Sequence, residues 1–500
     1  MKAAEIFQSG MVLQREKPVI IWGIADAGDE ITVSIQGKKG SGTADEQGKW
    51  KVELPALKAS ENERMVVASK CEVISYTDVA IGEVWIAGGQ SNMEFYMRYE
   101  KHLKEEKAIC KNRRIRFYDV PEIAFEGQKE AFDYSRMGIW RTADVEDIEY
   151  FSAVGYYFEK ELEEGLNVPV GIIGCNWGGT TSSVWMSTES VERAGRPWME
   201  AYKSEIKELD MEAYWESQKK NPLNDRGNPF ADPFSELVLP RTPSQKEITA
   251  FFESVDMPEM GIMGNLQPQN IPGRLYEHMV KTIAPFTVRG VLWYQGESDD
   301  DLEKQEIYGE MLKAIIGDWR KLWQDKTLPF LIVQLPGWER WLDMVNKNFQ
   351  VIRHCQEAVA NGDENCYLCS ISDAGEQMDI HPKDKKVVGH RLALLALGHI
   401  YGRKLLCDAP VVESVQRERN QVRLKFAHAK GGLHIEGEGI AALRVVPEMD
   451  FRAEIEGDTL LLVLERNLAD SVKIYFAQEK WYKVNLYNES DIPAIPFKAE

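Results

Sequence analysis

The sequence has few cysteines, no long apolar run and a deficit of basic residues. Its seven cysteines are scattered and odd in number, which favours reduced thiols over a disulfide framework. No apolar stretch is long enough to cross a bilayer, so we expect no membrane partner. The 80 acidic and 60 basic residues give a net charge of −20 without a basic cluster. This composition argues against nucleic acid as a partner.

The first residues also lack the apolar core of a signal segment, and strand-like sequence begins almost at once. We therefore expect a cytoplasmic protein, although a signal removed beforehand would leave the same sequence. Cys366 and Cys369 have the spacing of a metal or redox pair, but they lie inside a strand-like run without a second pair. We interpret them as core thiols and predict no metal and no cofactor. The sequence carries no signal for an oligomeric state.

A chain of 500 residues is too long for one ordinary core, and its pattern changes twice. Residues 1–78 alternate apolar and polar positions, which predicts a small β-sandwich. Residues 79–404 predict an α/β core, and residues 405–500 predict a second β-rich module. The strands predicted in the two outer regions are Val19–Gly23, Ile31–Ile35, Trp50–Leu54, Val422–Phe426, Leu460–Leu464 and Val472–Phe476.

In the central region, strand-like runs alternate with helical patterns, which indicates a parallel sheet covered on both faces. One connection, residues 186–270, is too long for a simple crossover, and we interpret it as an insertion over the site. The predicted strands are Val79–Ala87, Val168–Gly174, Val288–Tyr294, Leu328–Leu335 and Cys366–Ser372. The helical patterns are carried by Phe151, Val154, Phe158 and Leu162, by Tyr308, Leu312, Ile315 and Trp319, and by residues 383–402.

Polar clusters follow these strands at the ends where ligands bind in open α/β sheets. They include Ser91 on a glycine-flanked turn, the pair Gly178 and Gly179, the amide of Gln295, and His381. Each residue type has a role in acyl transfer. A serine needs a base to remove its proton, a histidine oriented by a carboxylate can do so, and N–H donors stabilise the oxyanion.

The chain resembles the sialate O-acetylesterase family, a branch of the SGNH hydrolases, in four blocks that occur in the expected order. Similarity extends to the opening residues 10–15 and to the closing residues 484–494. The four blocks are Gly89-Gln90-Ser91-Asn92-Met93-Glu94, Trp177-Gly178-Gly179-Thr180, Trp293-Tyr294-Gln295-Gly296-Glu297-Ser298 and Asp379-Ile380-His381-Pro382.

The resemblance implies a flavodoxin-like core and metal-free hydrolysis of acetyl esters on sugars by a serine esterase that forms an acyl-enzyme. It implies that Ser91 is the nucleophile and His381 the base. The oxyanion positions fall to Ser91, Gly178, Gly179 and Gln295, where many SGNH enzymes have asparagine in place of the glutamine. In the superfamily the aspartate stands three residues before the histidine, whereas Asp379 stands two before His381. Asp373, Glu376 or a backbone carbonyl are therefore alternatives to Asp379 for orienting the ring.

Several alternatives remain open at this point. The sugar is either an O-acetylated sialic acid or an acetylated plant oligosaccharide, and a non-catalytic carbohydrate-binding protein is a further hypothesis. Glu297 and Asp299 could instead form the acid pair of a glycosidase, but both lie on one loop, so a network role for Glu297 is favoured. The predicted substrate contacts are Gln90, Trp177, Glu297 and Tyr294. Trp177, Trp185, Trp293 and Tyr294 either stack on sugar or pack in the core.

Overall fold

The computed structural model describes residues 1–128, 136–221, 230, 233–255, 266–301, 303–467 and 472–500. The chain divides into two units. The first comprises Met1–Ser298 and Glu310–Phe330, and the second comprises Asp299–Gly309 and Leu331–Glu500.

The first unit begins with short strands, most of which pair antiparallel and alternate between buried and exposed side chains. In the fourth strand Ile31, Val33 and Ile35 are buried, as the period of two along a strand requires when one face meets a core. The three predicted N-terminal strands are confirmed. The first, third and sixth strands form one sheet, and the fourth pairs with the fifth and the seventh. The seven strands are β1 Lys2–Ala3, β2 Val12–Gln14, β3 Val19–Ile24, β4 Glu30–Ile35, β5 Lys38–Thr43, β6 Lys49–Leu54 and β7 Ser60–Ala68.

The eighth strand, β8, runs from Val73 to Gly89 and is the central element of the first unit. Its first residues alternate and pair with β7, whereas its last eleven residues are all buried. A mostly apolar run that is buried throughout is typical of a strand covered on both faces. The predicted boundary between residues 78 and 79 falls inside this strand, and the division into three domains stays a prediction.

Four strands of the first unit, β8 among them, lie side by side in parallel, and a fifth runs antiparallel at the edge. The order is β10, β9, β11, β8, β12, with β10 antiparallel to β9. The sheet is therefore mixed, which corrects the prediction of a purely parallel sheet. The new strands are β9 Asn112–Asp119, β10 Trp140–Ala143, β11 Val170–Asn176 and β12 Gly290–Tyr294.

The helix predicted after residue 151 is confirmed, and its predicted apolar face is buried. The side chain of Ser152 caps its start by accepting the N–H of Gly155 at 3.1 Å. Asn167 ends it in the left-handed conformation. The helices as far as residue 323 are α1 Ser91–Glu94, α2 Leu103–Lys107, α3 Ala153–Leu166, α4 Thr188–Ala194, α5 Arg196–Ile206, α6 Met211–Lys220, α7 Pro233–Val238, α8 Gln245–Ser254, α9 Lys281–Ile283 and α10 Tyr308–Trp323.

The long connection at residues 186–270 contains α4 to α8. The charged helical stretch predicted near residues 202–218 corresponds to α5 and α6. Most of the Pro/Asn/Asp-rich part at 221–232 lies outside the described residues. The function of the insertion stays a prediction.

The second unit contains two adjacent strands followed by β-rich sheets. β13 and β16 are neighbours in their sheet, and the three predicted C-terminal strands are confirmed as β18, β22 and β23. The elements are β13 Phe330–Gln334, β14 Arg340–Trp341, β15 Met344–Val345, α11 Phe349–Asn361, β16 Cys366–Ser370, α12 Lys386–Leu395, β17 Val411–Glu418, β18 Gln421–Ala427, β19 Leu433–Ile435, β20 Leu443–Val446, β21 Phe451–Glu456, β22 Thr459–Leu464, β23 Lys473–Phe476, β24 Leu486–Asn488 and β25 Phe497–Ala499.

Two predictions from composition can be compared with this fold. All seven cysteines are free thiols, and Cys366 and Cys369 are buried, in agreement with their interpretation as core residues. Within the described ranges, no helix combines the length and the apolar character needed to cross a bilayer. The strand order and the helices given above define a mixed α/β protein with a large mixed sheet and additional β-rich regions.

Candidate active site

Ser91 stands directly beyond the C-terminal end of β8 and is the first residue of α1. The chain turns at Gly89, whose φ of +140° is unfavourable for other residues. A Cβ at Gly89 would also lie 2.1 Å from the carbonyl oxygen of Tyr294, so only glycine fits. The turn leaves Ser91 partly exposed at the edge of the sheet, as the sequence predicted.

The two glycines that follow β11 lie beside this serine. A Cβ built on Gly178 would be 3.2 Å from the Cβ of Ser91. The N–H of Gly178 donates to Glu94 Oε2 at 2.5 Å, so this predicted oxyanion donor already has an acceptor. Apart from Gly179 itself and its two chain neighbours, no heavy atom of the described residues comes within 4 Å of the Cβ position of Gly179. Of the two glycines, Gly179 is therefore the one beside open space.

Gln295 is fully buried and holds strand ends together. Its Nε2 donates to Gln90 Oε1 and to the carbonyl oxygen of Thr180, both at 3.2 Å. Both amide hydrogens are thus committed, and a bond from this amide to an oxyanion would require rearrangement. The side-chain oxygen of Gln90 also accepts the N–H of Ser298 at 3.1 Å. In this arrangement Gln90 and Gln295 position the loops, and direct contact of either with substrate stays a prediction.

Glu297 takes part in a buried network with the residue that follows the serine. Asn92 Nδ2 donates to Glu297 Oε1 at 2.6 Å, and both side chains are buried. This bond links the loop after β12 to the helix that begins at Ser91. It agrees with the network role favoured for Glu297 from the sequence.

The aromatic residues of the four blocks, and Trp185 outside them, are core residues in this structure. Trp185, Trp293 and Tyr294 are fully buried, and Trp177 is 2% exposed. Trp293 makes edge contacts with Trp185 and with Trp319 at centroid distances of 6.4 and 5.8 Å. The burial of these rings agrees with the packing interpretation, and contact of Trp177 or Tyr294 with substrate stays a prediction.

His381 lies in the second unit, in the loop between β16 and α12, and its ring is buried. The ring packs edge-on against Trp341, with a centroid distance of 4.7 Å. Asp379 Oδ1 accepts the backbone N–H of His381 at 2.8 Å and lies 3.8 Å from ring Nδ1. Asp379 Oδ2 forms an ion pair with Lys383 at 2.8 Å. Asp379 therefore stands beside the imidazole at a distance longer than a hydrogen bond.

The two alternative carboxylates have other partners. Asp373 binds the guanidinium of Arg391 through both oxygens, at 2.6 and 2.8 Å. Glu376 accepts the backbone N–H of Lys383 at 2.8 Å. These contacts leave Asp379 as the best placed of the three predicted carboxylates. Its assignment as the orienting group stays a prediction.

The electrostatic environment of His381 favours its neutral form. Burial lowers the pKa of His381 well below its ordinary value, and the positive charges of Lys385 and Lys383 lower this pKa further. A neutral imidazole can accept a proton, so the ring is in the form that a general base requires near neutral pH.

Sequence reasoning missed three contributions to this geometry. Glu94 was part of a block without a role, although its position three residues after Ser91 places both on one side of a helical turn. Trp341 and Lys385 carried no signal, because their proximity to His381 depends on how loops of the second unit fold.

The described residues include the chemical groups that a serine hydrolase uses. These are a serine at the tip of a parallel strand, a glycine turn beside it, and a buried neutral histidine beside a carboxylate. Comparisons with known proteins indicate which class of hydrolase the chain resembles. Residues 262–396 match the family model described as carbohydrate esterase, sialic acid-specific acetylesterase. The resemblance to the sialate O-acetylesterase family that the four blocks indicated is thereby confirmed, and individual relatives support it along most of the chain.

Two of these relatives are mammalian. The chain is 26% identical to mouse sialate O-acetylesterase over 449 residues, which cover 83% of this chain and 76% of that protein. It is 25% identical to the human sialate O-acetylesterase over 452 residues, covering 83% and 74%. The crystal structure of a carbohydrate acetylesterase from Xanthomonas citri is similar over 100% of this chain and 99% of that chain, with a TM-score of 0.75 and 26% identity.

Proposed function

We propose that this protein is a serine esterase that removes O-acetyl groups from carbohydrates through an acetyl-enzyme intermediate. The observation that carries the proposal is full-length similarity to a carbohydrate acetylesterase together with Ser91 at the strand end that the four blocks predict. The finer fold assignment, a flavodoxin-like SGNH core, belongs to the same proposal. It is supported by the parallel run β9, β11, β8, β12 with the serine directly after β8.

The proposed reaction has two halves. In the first, the Ser91 oxygen bonds to the acetyl carbon while its proton passes to His381, and the sugar alcohol leaves with that proton. In the second, water attacks the acetyl carbon and gives a proton to His381, and His381 passes this proton to the Ser91 oxygen as the bond to the acetyl group breaks and acetate leaves. The backbone N–H groups of Ser91 and Gly179 are the proposed oxyanion donors. An oxyanion donor lowers the barrier by about 3 kcal/mol, so donor placement has a large effect on rate.

The test of this proposal is release of acetate from a panel of purified compounds. The panel contains O-acetylated sialic acid, acetylated xylo-oligosaccharides, an aryl acetate and a methyl glycoside without acetyl groups. We expect one acetate per ester cleaved and no product from the methyl glycoside. Relative kcat/KM on the first two compounds identifies the sugar. Absence of acetate from every ester, with sugar binding retained, would establish the non-catalytic carbohydrate-binding hypothesis instead. Location in the cytoplasm stays a prediction that a cell fractionation tests.

We predict that Glu94 positions the glycine turn beside Ser91. Its carboxylate holds the N–H of Gly178, next to Ser91, so Glu94→Ala should release the glycine turn and misplace the neighbouring Gly179 donor. We expect kcat to fall on the order of a hundredfold with KM little changed, because the donor acts on the transition state. Steady-state kinetics on an aryl acetate measure this loss.

Glu94→Gln is the matched variant, because its amide oxygen can still accept the Gly178 N–H. It should retain most of the activity. Tyr96→Phe controls for the other contact of Glu94, since the Tyr96 hydroxyl donates to Glu94 Oε1 at 3.3 Å. Equal losses in all three variants, or a rise in KM alone, would contradict a positioning role for Glu94.

A further inference from the structure

A cluster of histidine, cysteine and aspartate in the second unit has no part in the proposed reaction. His399 belongs to a single π-helical turn, Ala396–Ile400, that continues α12. Cys407 and Asp408 follow in the connection to β17, and His428 stands directly after β18. Side chains from three separate segments thus meet at one place.

The potential ligand atoms lie at the spacing of a coordination sphere. The His399, Cys407 and Asp408 atoms are all within 4.8 Å of one another. His399 Nε2 is 2.8 Å from Asp408 Oδ1, and Cys407 Sγ is 3.8 Å from Asp408 Oδ2. His428 Nδ1 lies 3.7 Å from Asp408 Oδ2. Tetrahedral zinc bonds of about 2.0–2.3 Å place neighbouring ligand atoms roughly 3.3–3.8 Å apart. The distances from the Asp408 carboxylate to His399, Cys407 and His428 lie near this spacing.

The surroundings hold these side chains in place. The ring of Tyr367 stacks on His399 at a centroid distance of 4.1 Å. Asn488 Nδ2 donates to the carbonyl oxygens of Asp408 and His428, at 2.9 and 3.0 Å, and so joins the two loops. A Cβ on Gly398 would lie 2.4 Å from Cys407 Sγ, so the thiol can occupy this position only because residue 398 is glycine.

We propose that His399, Cys407, Asp408 and His428 form a zinc site with two imidazole nitrogens, one thiolate and one carboxylate oxygen. This ligand set suits Zn²⁺ because imidazole and thiolate are its preferred donors. Cys407 is buried, whereas both histidines are exposed, so an ion reaches the site from solvent. Binding joins the end of the helical segment to the loops at β17 and β18, which makes the site structural.

Charge balance also fits a dication. When Zn²⁺ binds, the Zn–S bond replaces the S–H bond and the proton passes to buffer. The thiolate and the carboxylate then neutralise the two positive charges of the ion.

The first experiment titrates the full-length protein, freed of metal by a chelator, with Co²⁺ and then Zn²⁺. We expect one Co²⁺ per chain, a thiolate-to-cobalt charge-transfer band and the strong visible absorption of tetrahedral cobalt, all removed by Zn²⁺. Zinc should also raise the unfolding temperature, because it binds the folded state. A cobalt spectrum without the charge-transfer band would overturn the proposal, and this measurement needs no variant.

The second experiment compares Cys407→Ser and His399→Gln with Cys71→Ser, a change at an exposed cysteine of the first unit. The two cluster variants should weaken zinc binding at least about tenfold and lose the increase in unfolding temperature. Cys71→Ser should behave as the unaltered protein. Unchanged zinc affinity in Cys407→Ser, or an equal loss in Cys71→Ser, would contradict the assignment.

Discussion

Replacement of Ser91 by alanine is expected to lower kcat for acetyl-ester hydrolysis by about 10⁶-fold, the scale found when a nucleophilic serine is removed from a triad. No other hydroxyl of the four blocks has the same setting, at the tip of the central strand and against the Gly178 turn. The change removes one oxygen from a partly exposed residue, so the fold should be unaffected. Acetate release and the unfolding midpoint, measured on the same preparation, test both expectations.

Ser298→Ala is the matched control for this variant. Ser298 also follows a strand of the sheet, but its hydroxyl accepts from Gln90 Nε2 at 3.1 Å and serves the loop network. It should lose far less activity than Ser91→Ala. A fluorophosphonate probe should label the unaltered protein and Ser298→Ala but not Ser91→Ala. Undiminished turnover in Ser91→Ala would end the proposal of a serine nucleophile.

In the strands that the sequence predicted, the pattern of apolar and polar residues depends only on which faces of the strand are buried. The last part of β8 is buried throughout and mostly apolar because both faces are covered, and β4 alternates because one face is covered. The order of apolar and polar residues indicates which positions are buried, so a single sequence is enough to predict these strands. The position of Ser91 follows from the same information, since it depends only on where β8 ends.

The strand β9 was missed for the opposite reason. It begins Asn-Arg-Arg-Ile-Arg, and Arg116 is buried although arginine usually signals a surface. Arg116 is satisfied by the carbonyl oxygen of Gly10 at 2.8 Å and by the Asp78 carboxylate at 3.0 Å. Those partners are distant in sequence, so local composition gives no indication that this charge can be buried.

The sequence also could not predict roles that depend on which hydrogen-bond partner a side chain has. Gln295 has the chemistry of an oxyanion donor, but its amide hydrogens go to Gln90 and Thr180. Glu94 was part of a block without a role, yet it binds the glycine turn. Residue type limits what a group can do, whereas the partner it meets decides what it does. The four blocks therefore predict which chemical groups are present, but not which hydrogen bonds each group makes.

The second large effect is expected at His381. His381→Ala should reduce kcat by about as much as Ser91→Ala, and the double variant Ser91→Ala/His381→Ala should be no worse than either single one. This lack of additivity is the signature of two groups that act as one unit. Turnover measurements on an aryl acetate compare the three variants. Losses that multiply in the double variant would show that the serine and the histidine act separately.

Asp379→Asn separates the orienting role from the proton transfer. The asparagine oxygen can still accept the His381 backbone N–H, so the loop should keep its conformation. Because Asp379 Oδ1 lies 3.8 Å from Nδ1, we expect a loss smaller than the roughly 10⁴-fold effect of a hydrogen-bonded triad aspartate. A loss as large as that of His381→Ala would mean that the carboxylate closes on the ring during turnover.

The pH profile gives an independent readout of the same histidine. Activity requires neutral His381, so kcat is retained above the pKa of this ring and declines as pH falls through it. Burial and the two lysines lower that pKa, which places the decline below the ordinary histidine value of about 6.5. Lys385→Met removes one of the positive charges that lower the pKa, so its decline should begin at higher pH. Return to neutral pH before assay controls for acid unfolding, and a decline that Lys385→Met leaves in place or shifts to lower pH would argue against His381 as the base.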